Sequence, residues 1–195
     1  MADWVRILVF GGVVLVLVAL FFVTTAGNGF RLAEETKNRV SITPATTVSK
    51  FHRHFVAGLF HDNLVHIGFN LAIFTAGYWL ATQRASSFTT VGASYGLGIL
   101  VVFLLHLVLV LPLARLGIPY AERALDFPLV GFSVIAYACL GAGVDLFPAL
   151  TQLIVFGVVI LFEVGAGVFV TGPFISVYHV TGFALGFYVR SLAAP

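Results

Sequence analysis

The chain has 195 residues, of which 60% are hydrophobic and only 9% are charged, and its mean hydropathy is +1.07. Soluble domains carry about 25% charged residues, so this chain lacks the polar residues needed to cover a water-facing surface. The composition excludes a soluble domain and predicts an integral membrane protein. A formal net charge of +2 gives no indication of nucleic-acid binding.

Six apolar stretches are long enough to cross a bilayer, because a spanning helix needs about 20 residues. Backbone polar groups in hydrocarbon must bond within the segment, and these stretches do not alternate as barrel strands do. We therefore expect an all-α polytopic membrane protein that forms one membrane domain over residues 1–195. The expected helices lie at 4–26, 63–82, 90–113, 128–144, 148–170 and 174–192.

The first stretch is longer than the apolar region of a cleaved signal peptide, so we expect a retained helix. The longest polar stretch, residues 27–62, follows it and contains Phe51, Phe55 and Phe60 among basic residues. This mixture of apolar and basic side chains predicts an interfacial segment that lies on the membrane.

The second helix carries His66 and Asn70, which are four residues apart and therefore share a face. In the fourth stretch, Pro128 suits the first turn of a helix, which predicts that Ser133 lies about one turn inside. A helix from Pro128 to Val144 spans about 25 Å, which is less than the hydrocarbon core. Either the preceding loop dips into the membrane or the helix start is recessed, and both predict a water-accessible cavity.

The sixth helix carries His179, Gly182 and Gly186 on one face, and its GxxxG pattern lets two helices approach closely. Helices alternate in direction, so the second, fourth and sixth enter from the same side of the membrane. If the sixth helix packs against the fourth, His179 can hydrogen-bond Ser133. Polar groups at membrane depth are costly, which favours a functional role for them.

A histidine base turns a serine hydroxyl into a nucleophile, so Ser133 and His179 predict peptide hydrolysis inside a bilayer. The side-chain N–H groups of His66 and Asn70 are suited to stabilising the oxyanion. We expect no carboxylate to orient His179, which makes the predicted site a dyad.

Four further polar residues receive other interpretations. His52 and His54 lack carboxylate or cysteine partners for a metal, so we interpret them as interfacial residues and expect no cofactor. His106 and Glu163 lie deep in the third and fifth helices. We expect them to pair with each other or to be separately satisfied, and a proton path is the alternative.

Three motifs stand in order along the chain. They read His61-Asp-Asn-Leu-Val-His66-Ile-Gly-Phe-Asn70, Gly131-Phe-Ser133-Val134 with Tyr137, and His179-Val-Thr-Gly182-Phe-Ala-Leu-Gly186. They are similar to H-x4-H-x3-N, GxSG with a following tyrosine, and H-x2-G-x3-G of the rhomboid intramembrane serine proteases, so the chain resembles that family over about residues 50–192.

The resemblance implies a six-helix, multi-pass protein of the cell membrane that cuts transmembrane helices of other proteins. It makes Ser133 the nucleophile and His179 the base, with His66 and Asn70 serving the oxyanion. It also implies that Tyr137 stacks on His179. His61 would lie near the mouth of the site.

The chain departs from the family at Val134, which replaces the second glycine of GxSG, and in a first loop without the usual Trp-Arg pair. We expect Val134→Gly to give equal or higher activity. Two other functions stay open. One is a rhomboid-like protein that binds membrane clients without cutting them, and the other is a small transporter or channel with His106 and Glu163 in its path.

The distribution of basic residues and the resemblance to rhomboids predict opposite orientations of the chain in the membrane. Residues 27–62 and 114–127 carry most of the lysines and arginines, whereas the other face has Arg6, Arg84 and Arg190. The positive-inside rule places the first face in the cytoplasm, but rhomboids place their active face outside. We expect the N-terminus inside.

Overall fold

A computed structural model describes residues 3–83 and 85–192. Arg84 and the ends of the expected domain, residues 1–2 and 193–195, lie outside this range. The described residues are helical, without any strand, and two isolated bridges join Arg31 to Asn63 and Ile42 to Leu129. The all-α prediction is therefore confirmed for the described chain.

The helices follow the apolar stretches closely. A π-helical turn, His106–Val110, joins α4 to α5, and a second one, Gly167–Thr171, extends α8. The α-helices are α1 (Asp3–Thr25), α2 (Glu34–Val40), α3 (Leu64–Ala81), α4 (Ser87–Leu105), α5 (Leu111–Arg115), α6 (Pro119–Ala124), α7 (Ser133–Val144), α8 (Ala149–Ala166) and α9 (Pro173–Leu192).

Four described segments are long and apolar enough to cross a membrane: Asp3–Asn28, Leu64–Ala81, Ser87–Arg115 and Ala149–Phe169. The apolar helix α7 is shorter than these, with 12 residues. Helix α9 is long enough, but polar residues such as His179 and Arg190 make it less apolar. Membrane-spanning character is thus supported for four of the six expected spans, and it stays a prediction for the other two.

The start of the fourth helix differs from the prediction. Helix α7 begins at Ser133 rather than at Pro128, because Gly131 has φ +115°, a conformation that no α-helix contains. Instead of helical bonds, the N–H of Leu129 donates to Ile42 and the N–H of Gly131 donates to Ala57. Ser133 is therefore the first residue of its helix and not one turn inside it.

The described chain forms two compact units, whose boundary falls inside α1, α3 and α4. The described residues of the first unit are 3–10, 71–83, 85–101 and 133–192. Its centre is α7, nine of whose 12 residues are buried. The expectation of one membrane domain stays a prediction.

The second unit contains residues 11–70 and 102–132. Its connection between α1 and α3 is folded into α2 and three short 3-10 turns after it. The Lys37 ammonium bonds the Asp62 carboxylate at 3.0 Å, and the N–H of Leu32 bonds the Asp62 carbonyl at 2.8 Å. Phe51 and Phe55 are exposed there, as an interfacial segment requires.

Candidate functional site

His179 is held from two sides within the first unit. Its ring stacks on the ring of Tyr137, with the centroids 4.6 Å apart and the planes 5° from parallel. Its Nδ1 lies 3.0 Å from Oε2 of Glu163, and the His179 side chain is almost fully buried. Stacking and the Nδ1 contact together fix both the plane of the imidazole and its rotation within that plane.

Glu163 is a carboxylate that bonds His179, so the expectation that no carboxylate orients His179 is wrong. It is buried on α8, with 2% of its surface exposed. The Tyr137 hydroxyl donates to Oε1, and His179 Nδ1 contacts Oε2. A buried carboxylate requires such partners, and here each of its two oxygens has one.

Of the two alternatives expected for Glu163 and His106, the structure has the second, because each residue bonds other partners among the described residues. His106 belongs to the second unit, where its Nδ1 lies 3.0 Å from the Thr47 hydroxyl. The same hydroxyl lies 3.0 Å from Nε2 of His54. His54 is buried rather than interfacial, with 4% of its surface exposed. Burial lowers the pKa of His54, with partial opposition from its bond to the Thr47 carbonyl.

Helices α7 and α9 pack with their backbones in contact at glycine residues. A Cβ at Gly186 would lie 2.0 Å from the carbonyl oxygen of Ala138. A Cβ at Gly141 would lie 1.9 Å from the carbonyl oxygen of Phe183. Only glycine permits this distance, so the GxxxG stripe of α9 and Gly141 of α7 bring the two helices together.

Ser133 is half-buried at the N-terminus of α7. No hydrogen bond joins Ser133 to His179 within the part of the chain that the structure describes. The two residues nevertheless occupy helices in direct contact, and Tyr137, which stacks on His179, lies one helical turn after Ser133.

Val134, at the position of the second motif glycine, packs on the glycine stripe of α9. Its Cγ1 and its carbonyl oxygen lie 3.0 and 2.9 Å from where a Cβ of Gly182 would be. The extra bulk at Val134 is thus accommodated by the absence of a side chain at Gly182.

Gly131, His66 and Asn70 meet in the second unit. A Cβ at Gly131 would lie 2.5 Å from Cε1 of His66, 2.6 Å from its Nε2 and 3.5 Å from Nδ2 of Asn70. The positive φ of Gly131 also disfavours any L side chain. This glycine is therefore required both by its backbone conformation and by the two polar side chains beside it, and it precedes Ser133 by two residues.

The Asn70 amide is 1% exposed, and neither its oxygen nor its nitrogen has a hydrogen-bond partner among the described residues. Buried amides are normally hydrogen-bonded, because leaving them unpaired costs about 1–3 kcal/mol.

His61 supports the turn that leads into α7. Its Nε2 accepts a hydrogen bond from the N–H of Phe132 at 3.4 Å, and its ring centroid lies 5.3 Å from that of His66. Burial, with a smaller contribution from the neighbouring His66, lowers the pKa of His61 to about 3. The ring is therefore neutral at physiological pH, and its proton lies on Nδ1 because Nε2 is the acceptor.

The chain was compared with protein-family models, with curated proteins and with solved structures. None of them matches it. Any functional assignment therefore depends on the motifs and on the geometry described above.

Proposed function

We propose that the chain is a multi-pass membrane protein with a six-helix, rhomboid-like organisation that hydrolyses peptide bonds in or near transmembrane helices. The observation that carries this proposal is the constraint on His179. Its ring is stacked on Tyr137, one turn after Ser133, and its Nδ1 is bonded by a buried carboxylate. A histidine fixed in this way beside a serine-bearing helix is suited to act as a base.

In this mechanism the Ser133 hydroxyl attacks the substrate carbonyl while Nε2 of His179 accepts its proton. The proton then passes to the leaving amine, and water releases the acyl group in the reverse sequence. Hydrogen bonds to a catalytic base are often long before substrate binds, so the absence of a Ser133–His179 bond is compatible with this role. The motifs assign His66 and Asn70 to the oxyanion, and this role stays a prediction.

The first test is covalent labelling of purified protein in detergent by a fluorophosphonate probe, together with cleavage of a model transmembrane substrate. We expect labelling and cleavage by the wild type, and the loss of both in Ser133→Ala and His179→Asn. Ser94→Ala is the matched control, because Ser94 is a buried membrane-helix serine on α4. We expect it to label at the wild-type rate. An unlabelled, inactive wild type, or labelling that persists in Ser133→Ala, contradicts the proposal.

The same experiment separates the two alternatives. A client-binding protein without activity would retain transmembrane peptides and take no label. The transporter hypothesis loses its original support, because Glu163 bonds Tyr137 and His179 while His106 bonds Thr47.

A further inference from the structure

We propose that Glu163 is a positioning residue that converts the Ser133–His179 dyad into a Ser–His–Glu triad. This inference depends on the proposed protease function and adds to it a residue outside all three motifs. Glu163 acts through His179 by fixing which ring nitrogen carries the proton and where the ring points.

The hydrogen bonds of the carboxylate determine the tautomer. Oε1 accepts from the Tyr137 hydroxyl, and Oε2 lies 3.0 Å from Nδ1 of His179. A carboxylate has no proton to donate, so Nδ1 must carry the hydrogen of this bond. The neutral ring then has its lone pair on Nε2, which is the state that a base for a serine proton requires.

The backbone of Glu163 is also tied to the helix of its partner. The Ser176 hydroxyl on α9 donates to the Glu163 carbonyl oxygen at 2.7 Å. Ser176 precedes His179 by three residues, so both lie on the same face of α9. This hydrogen bond joins α8 to α9 near both side chains, so it helps to hold the Glu163 carboxylate beside the His179 ring.

Burying a carboxylate in hydrocarbon costs free energy unless its oxygens are paired. Carboxylates at such positions are therefore rare, and they often have a function. Glu163 is 2% exposed, and its two carboxylate oxygens bond Tyr137, which stacks on His179, and His179 itself. Both of these bonds converge on the proposed base. A purely structural carboxylate would not need to contact the one histidine that the motifs select.

The test is Glu163→Gln, assayed by the rate of fluorophosphonate labelling and by cleavage from pH 5 to pH 10. If the Tyr137 hydroxyl keeps donating to the amide oxygen, the amide NH2 faces Nδ1 and favours the wrong tautomer. We expect labelling at neutral pH to fall at least about 100-fold, since the corresponding loss of tautomer control in serine proteases costs about 10⁴-fold.

Gly157→Ala is the matched control on the same helix, because a Cβ at Gly157 meets nothing within 4 Å. We expect it to leave the labelling rate and the pH profile in place. If Glu163→Gln keeps the wild-type rate and profile while labelling still requires Ser133 and His179, the positioning role is wrong and the protease function stands. If the wild type takes no Ser133-dependent label, the protease function itself fails.

A second measurement applies even if Glu163→Gln does not fold. The ¹⁵N NMR shifts of histidine in the wild type report the tautomer directly, and the spectrum of His179→Gln identifies the signals of His179. At a pH where the ring is neutral, we expect a protonated Nδ1 and an unprotonated Nε2. A proton on Nε2 contradicts the positioning role.

Discussion

Ser133 begins its helix, and this position affects the chemistry of its own backbone. The first four N–H groups of an α-helix have no partner within the helix, and the helix dipole favours negative charge at that end. If the helix began one turn earlier, the N–H of Ser133 would bond a carbonyl of the preceding turn. The positive φ of Gly131, which ends the non-helical segment, thus leaves the backbone N–H at Ser133 suited to assist the oxyanion.

At the residue scale, the variant Val134→Gly tests whether Val134 contributes to stability without contributing to activity. Val134 is 9% exposed and packs on Gly182, so its removal leaves a cavity and also lowers helix propensity. We expect a loss of about 2 kcal/mol in stability, measured as a lower melting temperature in detergent. The labelling rate per folded molecule should equal or exceed that of the wild type.

Val134→Ala provides the intermediate case, with a smaller loss of stability and an unchanged labelling rate. A large loss of labelling in folded Val134→Gly would show that the valine supports the site, contrary to the steric argument.

The motif residues were identifiable from the sequence, because polar side chains in apolar segments are conspicuous. Their partners were not identifiable. Glu163 was recognisable as a lone carboxylate, but the face of α8 that meets α9 depends on tertiary packing. The positive φ of Gly131 and its close approach to His66 and Asn70 are also tertiary features, so Pro128 was a misleading indication of where α7 begins.

At the scale of elements, the contact between α7 and α9 determines whether Tyr137 and His179 can stack. The contact uses glycines on both helices, with Gly141 on α7 and Gly182 and Gly186 on α9. Periodicity predicted this face of α9. The fourth helix as its partner was only a hypothesis from the sequence, because a GxxxG pattern does not name the helix that it contacts.

Gly186→Ala tests this contact. The added Cβ would lie 2.0 Å from the Ala138 carbonyl oxygen, so the backbones must separate. We expect a destabilisation of about 3 kcal/mol or more and the loss of fluorophosphonate labelling. Thermal unfolding in detergent and the labelling rate measure the two effects.

Gly157→Ala on α8 is the control, because a Cβ there meets nothing within 4 Å. Its stability should be unchanged or higher by up to about 1 kcal/mol, as expected from helix propensity. Equal stability of the two variants would contradict the close packing of α7 on α9.

At the scale of the whole molecule, membrane topology is the property that the sequence predicted in two conflicting ways. Four described helices have the length and apolarity to span. Their ends followed from the apolar runs to within a few residues, since burial in lipid requires both apolar side chains and helical backbone. Orientation does not follow from hydropathy, and the basic residues of 27–62 oppose the family pattern.

Cysteine accessibility decides the orientation. Ser49 and Gln83 are exposed on opposite sides of α3 in the chain, and the native Cys139 is fully buried. With the N-terminus inside, we expect Ser49→Cys to react with a membrane-impermeant maleimide in intact cells. Gln83→Cys should react only after permeabilisation. The reverse pattern would place the N-terminus outside.

Helices α7 and α8 have similar apolar compositions but opposite surroundings. Nine of the 12 residues of α7 are buried, whereas only Val159 and Glu163 are buried on α8. Side-chain volume therefore limits substitution along α7, where protein atoms surround the helix. Polarity alone limits substitution on the exposed half of α8, where one apolar residue can replace another of different size. Two segments of similar hydropathy would thus tolerate different amino-acid substitutions. On α8, Glu163 is the buried position at which we expect substitution not to be tolerated.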